Sequence, residues 1–133
     1  MASIFTRIVR GEIPAWKVAE TEDCLAFLDI NPLAEGHTLV IPKQEVDNLF
    51  DLDPELYNRL LAFAREVARA LAQVSEARRI GMAVIGLEVP HAHIHLVPIN
   101  GVYDIDFSKP KLQLSQEEFA GMAEKIRAAL RAS

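Results

Sequence analysis

The chain has 133 residues, half of them hydrophobic and a quarter charged, with a formal net charge of −5. That length suits one domain with a substantial core. The acidic balance gives no support for non-specific nucleic-acid binding, which needs a basic face, although backbone N–H groups and a few side chains can still hold one phosphate. Cys24 is the only cysteine, so neither an internal disulfide nor an all-cysteine zinc site can form. The opening "MASIFTRIVRGEIP" contains no apolar stretch of signal-peptide length. No apolar run approaches the ~20 residues of a membrane span. The expectation is a cytoplasmic protein with no nucleic-acid or membrane partner.

Ser3 can cap a short helix in which Ile4, Phe5, Ile8 and Val9 recur at helical spacing, and Gly11 and Pro14 end it. "WKVAE" predicts a weak strand. "CLAFLDI" predicts a better one, stopped at Asn31-Pro32. "HTLVIP", 37–42, is a third, with β-branched residues behind Gly36. Asp53-Pro54-Glu55 then supplies an N-cap, a proline in the first turn and an early acid. Leu56, Leu60, Phe63, Val67 and Leu71 share one face, which predicts a long amphipathic helix to about Ser75. "IGMAVIG", 80–86, and "AHIHLVPI", 92–99, predict two more strands. Ser115 and Glu118 have the spacing of a capping box. They open a final helix, about 115–131, with Phe119, Met122, Ala123, Ile126 and Leu130 as its apolar stripe. Strands segregated from helices in this way predict one α+β domain over 1–133. Its sheet is antiparallel with about five strands, accompanied by a long helix and a C-terminal helix.

Three of the four histidines, His91, His93 and His95, alternate within "VPHAHIHLVPI". On a strand, alternate side chains share a face. The three imidazoles then point one way, and Ala92, Ile94 and Leu96 pack the other way. Three readings follow. A metal site is strained, because His91 and His95 lie roughly 13 Å apart along a straight strand. Zinc holds its ligand atoms within about 4 Å of one another, so His37 or a carboxylate would have to complete the set. A polar sheet face of satisfied imidazoles explains one histidine better than three in register. Nucleophilic catalysis fits best. Neutral imidazole attacks phosphorus well, and the phosphoramidate it forms is readily hydrolysed. The flanking histidines can fix the nucleophile's tautomer and meet phosphate oxygens.

"HAHIHLV" fits the pattern His-φ-His-φ-His-φ-φ, where φ is usually apolar, and so resembles the histidine triad (HIT) family. "CLAFLDINPLAEGHTLVIPK" and "IFTRIVRGEIPA" resemble the family's second signature and its N-terminal segment. Together they cover about the first hundred residues. The chain is similar to bacterial members allied to the nucleotide-binding branch. The resemblance implies a nucleotide hydrolase or transferase acting at the α-phosphate of a nucleoside monophosphate derivative, with a purine nucleotide substrate, no cofactor and a homodimeric state. It implies His93 as nucleophile, His95 as a phosphate contact, His91 as the residue whose backbone carbonyl orients the nucleophile, and His37 as a supporting residue. Asp29 matches the carboxylate that accepts bonds from both ribose hydroxyls. Ile4, Phe5, Ile8, Phe27, Ile30 and Leu39 match positions that line the purine pocket.

The match has three departures. The branch carries a polar, glycine-rich loop before the triad, with an asparagine reaching the phosphate. Here "AVIGLEVP" is shorter and has none. Glu88 stands where serine or threonine is usual. It is either a nucleotide-site acid that favours a neutral or cationic leaving group, or a solvated turn residue. Some members use an N-terminal Cys-x-x-Cys in structural zinc binding, and the matching positions here are Ser3 and Thr6, so no metal is expected. Lastly, "NGVYDIDFSKPKLQLSQEEF" has two readings, as a cover over the site or as part of a dimer interface. The activity expected is hydrolysis of adenosine or guanosine 5′-monophosphate linked to an amine or other small group. The alternatives are a dinucleoside-polyphosphate hydrolase, and a nucleotide-binding regulatory module with little catalysis.

Overall fold

The structure, a computed structural model, describes residues 2–133. Its elements in chain order are α1 Ile4–Val9, β1 Lys17–Glu20, β2 Cys24–Leu28, β3 Thr38–Pro42, α2 Pro54–Val74, β4 Arg79–Ala83, β5 Ile94–Ile99 and α3 Gln116–Ala132. The five strands form one sheet in the order β1-β2-β3-β5-β4, and every neighbouring pair is antiparallel. This is the expected α+β architecture.

The helix boundaries follow from their caps. The Ser3 hydroxyl accepts from the Thr6 N–H at the start of α1. The Asp53 carboxylate accepts from Glu55 and Leu56 at the start of α2, next to Pro54. Ser115 and Glu118 exchange the two bonds of a capping box at α3.

Alternation along the strands divides the apolar side chains between two faces. Cys24, Ala26 and Leu28 of β2, Val40 of β3, and Ile94 and Leu96 of β5 pack into the main core with Leu60, Val67 and Leu71 of α2 and Ile126 of α3. The opposite face carries Leu25, Phe27, Leu39 and Ile41, which pack on Phe5 and Ile8 of α1. The fold therefore builds its bulk on one side of the sheet. The other side keeps a smaller apolar layer, and the histidines stand beside it. Gly36 sets up the entry to β3. Its φ of +96° is costly for any residue with a side chain, and a Cβ there would meet Leu71 Cδ1 at 3.0 Å.

Two strand expectations need correcting. β4 ends at Ala83 instead of continuing to residue 86. Gly86, three residues further on, adopts φ +73° in the loop that follows. β5 begins at Ile94, so His91 and His93 precede the strand and only His95 lies on it. The physical reason is where the backbone donors go: His91 N–H bonds to Val89 O at 2.8 Å and Ala92 N–H to Val46 O at 2.7 Å, outside the ladder. The alternation nevertheless persists through the lead-in. The Phe5 ring lies edge-on to both His91 and His93, at 5.8 and 5.1 Å between centroids.

Candidate functional site

The site stands on the α1 side of the sheet, where the ends of β2, β3 and β5 meet. A cavity of about 240 Å³ opens there, between α1, the end of β2 and the triad segment. All six residues expected to line a purine pocket, Ile4, Phe5, Ile8, Phe27, Ile30 and Leu39, line it together with Asp29, Glu88, His93 and His95. Ile13, Pro14, Ala15, Leu28 and Val89 add to the apolar wall. His37 and His91 are buried behind the cavity and do not line it.

Antiparallel pairing places Asp29 beside His37. Leu28 opposes Thr38, and the Asp29 N–H donates to His37 O at 2.9 Å. The Asn31 N–H donates to Asp29 Oδ1 at 2.8 Å, while Oδ2 lies 3.6 Å from His37 Nε2. Burial raises the Asp29 carboxyl above its ordinary range, against the Asn31 N–H, which lowers it.

Hydrogen-bond partners fix the proton of each imidazole, because a backbone N–H can only donate and a carbonyl can only accept. The Leu33 N–H donates to His37 Nδ1 at 3.0 Å. The neutral His37 ring therefore carries its proton on Nε2, and it donates to His95 Nδ1 at 3.0 Å. His95 then carries its own proton on Nε2, the nitrogen left to donate. Burial pulls His37 down to about 4. It pulls His95 down to about 3, with the neighbouring His37 and His93 acting the same way. Both rings are thus neutral at physiological pH. Phe107 packs its ring on His95, 4.6 Å between centroids.

His93 Nδ1 donates to the His91 carbonyl at 2.8 Å. Nε2 then holds the lone pair, in a ring that lines the cavity. His91 itself is pinned at both nitrogens. Nε2 donates to Pro42 O at 2.8 Å, and Nδ1 lies 2.9 Å from the Ser3 hydroxyl. The Thr6 hydroxyl donates to Glu45 Oε1 at 2.6 Å, so Ser3 supplies the proton to His91. The Ser3 N–H donates to the same Glu45 oxygen at 2.7 Å. Those two bonds, Thr6 first, hold the Glu45 carboxyl down to about 2. Glu45, Ser3 and Thr6 thus tie α1 to the residue whose carbonyl orients His93. Sequence reasoning gave Glu45 no role, since a turn acid in "PKQEV" carries no signal of its own.

A family model described as HIT domain matches residues 10–101. The chain belongs to the HIT family. It is 34% identical over 128 residues to the adenosine 5′-monophosphoramidase of Schizosaccharomyces pombe, covering 95% of this chain and 96% of that protein. A Hit-like protein involved in cell-cycle regulation from Bartonella henselae superposes with a TM-score of 0.83 at 34% identity, covering 96% and 95% of the two chains. A zinc-bound histidine triad family protein from Mycobacterium smegmatis superposes with a TM-score of 0.83 at 31% identity, covering 99% and 95%.

Zinc in one HIT protein raises the question of whether these residues would hold it. Around His91 they do not fit. Ser3 and Thr6 offer hydroxyls where zinc prefers thiolate or imidazole, and the imidazole nitrogen they face is already an acceptor for Ser3. Asp29, His37 and His95 offer ligand atoms within 4.8 Å of one another. There the His37 Nε2 proton occupies the gap to His95. Tetrahedral zinc would need both nitrogens bare and about 3.3 Å apart. The donor chemistry is that of a hydrogen-bonded relay.

Proposed function

We propose that the protein hydrolyses nucleoside 5′-monophosphate derivatives, adenosine phosphoramidate-like, at the α-phosphate through a covalent nucleotidyl-histidine on His93. The observation that carries this reading is the His93 ring. Its Nδ1 proton is held by the His91 carbonyl, which leaves Nε2 free, and the ring lines a largely apolar cavity together with Asp29. The name of the Schizosaccharomyces pombe relative supports the reaction class. In this reading the base lies among Phe5, Ile8, Phe27 and Leu39, and Asp29 accepts from the ribose hydroxyls. His93 Nε2 bonds to phosphorus, and the phosphorus–amine bond breaks. The departing nitrogen takes a proton from water. His95 Nε2–H donates to the phosphate oxygen that gains charge as the phosphorus–amine bond breaks. Water then attacks phosphorus and gives its proton to the hydroxide left by the first step, the phosphorus–Nε2 bond breaks, and the nucleoside monophosphate leaves.

The edge position of β4 suits pairing with a second copy, the state the resemblance implies. No helix among the described residues is long and apolar enough to cross a membrane.

Rapid quenching of the native enzyme with an adenosine phosphoramidate tests the mechanism. A nucleotide mass on the peptide containing residues 91–95 is the expected result. His93→Ala should still bind a nucleoside monophosphate while losing most of kcat. Near-native turnover in that variant, with no adduct in the native enzyme, would refute the mechanism.

A further inference from the structure

A second cavity, of about 290 Å³, lies beside the first, and His93 is the one residue that lines both among the described residues. Its walls come from the turn before α2 and from the shortened loop after β4. Phe50, Val84, Ile85 and Leu87 supply apolar surface, and Asp47 supplies an acid. These four apolar side chains are 74%, 38%, 51% and 87% exposed, so they form a surface patch that packing does not require. No lysine or arginine lines either cavity.

We propose that this second cavity is the leaving-group subsite and that it takes an amine with an apolar, aryl or alkyl body. The proposal rests on the hydrolase reading of His93. A phosphorus bonded to His93 has the nucleoside cavity on one side, and the rest of the substrate must extend elsewhere. The adjoining cavity is where the nucleophile's ring meets a second open space. Its apolar walls desolvate a hydrocarbon body. Asp47 in this cavity and Glu88 in the neighbouring one disfavour an anionic leaving group and tolerate a protonated amine. A second nucleotide joined through a polyphosphate would bring several negative charges to walls with no cation to meet them. The polar residues missing from the loop before the triad, and the apolar Ile85 and Leu87 that stand there, are thus one feature.

The test is a panel of adenosine 5′-phosphoramidates that share the nucleotide and differ in the amine: benzylamine, ethanolamine and β-alanine. The expected order of kcat/KM is benzylamine, ethanolamine, β-alanine, with on the order of 10-fold or more between the ends. Phe50→Ala and Leu87→Ser, both at exposed positions, should compress the benzylamine-to-ethanolamine gap to within about 3-fold, keep the β-alanine compound slowest because Asp47 and Glu88 remain, and leave the Kd for adenosine monophosphate unchanged. Equal rates across the panel, or an order that neither variant moves, would overturn the subsite. Absence of any turnover would count against the hydrolase reading instead. The subsite is then read from binding to His93→Ala. Tighter binding of the benzylamine compound than of the ethanolamine compound supports it, and equal binding overturns it.

Discussion

Lowering the pH from 7 to 5 should cost about 4 kcal/mol of folding stability through His37 and His95 alone. Both imidazoles have an ordinary value of ~6.5 in the unfolded chain. In the folded chain burial holds them at about 4 and about 3. Between those limits the unfolded chain binds protons that the folded chain does not, so stability falls as pH falls. At pH 5 an unperturbed imidazole is almost fully protonated, which favours the unfolded state by roughly 2 kcal/mol relative to pH 7 for each ring. Since both folded values lie below 5, their exact positions hardly enter. His91, also pulled down by burial, acts in the same direction. Asp29, raised by burial, opposes the trend only as the pH enters the carboxylate range. A domain with a total stability of about 5–15 kcal/mol would feel a loss of that size. Urea unfolding followed by circular dichroism at both pH values, at constant ionic strength, measures it as a shift in midpoint with an unchanged slope. His37→Phe should remove roughly half of the pH dependence. A change below about 1 kcal/mol in the native protein would mean that these rings are not held neutral by burial.

Asp29→Ala should weaken nucleoside monophosphate binding by ~1.5–3 kcal/mol per hydrogen bond lost. A ligand lacking both ribose hydroxyls should lose as much with the native protein and little more with the variant; normal binding by Asp29→Ala would dismiss the ribose contact. His37→Phe removes the proton that His95 Nδ1 accepts, so kcat should drop roughly 10-fold or more while the Kd for adenosine monophosphate stays near native. Equal losses in kcat and affinity would instead mark a general disturbance of the site. Glu45→Ala frees the Ser3 N–H and the Thr6 hydroxyl together, so Tm should fall, and hydrogen exchange should accelerate in α1 before the sheet. Turnover measured with and without a chelator should agree; activity lost to the chelator and restored by Zn²⁺ or Mg²⁺ would bring metal chemistry back.

The two long helices were legible because each carries a cap and an apolar stripe at one period, and Asp53 and Ser115 make the bonds their positions predict. β2 and β3 were legible because buried strands read as continuous apolar runs bounded by turn residues. The exit from β4 was not. "MAVIG" is apolar throughout, and Met82 in the sheet is as exposed as Ile85 in the loop, so neither hydrophobicity nor burial marks the boundary. The residues lining the cavity beside His93 follow from family resemblance, since Phe5 and Phe27 by composition alone are ordinary core. The contacts that set tautomers were beyond reach for a different reason. Leu33 N–H, Pro42 O and His91 O are backbone groups, and no side-chain identity announces them. Phe107 lies in a segment whose sequence shows no period, so its ring contact with His95 exists only in three dimensions.

The phosphate site proposed beside His93 is lined by no lysine or arginine, so it has to stabilise negative charge with dipoles, and dipoles serve only when their direction is fixed. Here direction is set by protons anchored to the backbone. Leu33 fixes His37, which fixes His95; the His91 carbonyl fixes His93; Pro42 fixes His91. Such chains require neutral rings, because a second proton on His37 or His95 would turn an acceptor into a donor and set two N–H groups against each other. Burial enforces neutrality by excluding the water that would stabilise an imidazolium. The same burial produces the acid-side loss of stability. Acid sensitivity and a correctly oriented His95 donor therefore have one physical cause. A substitution that opened His37 to water should relieve the first and impair the second together.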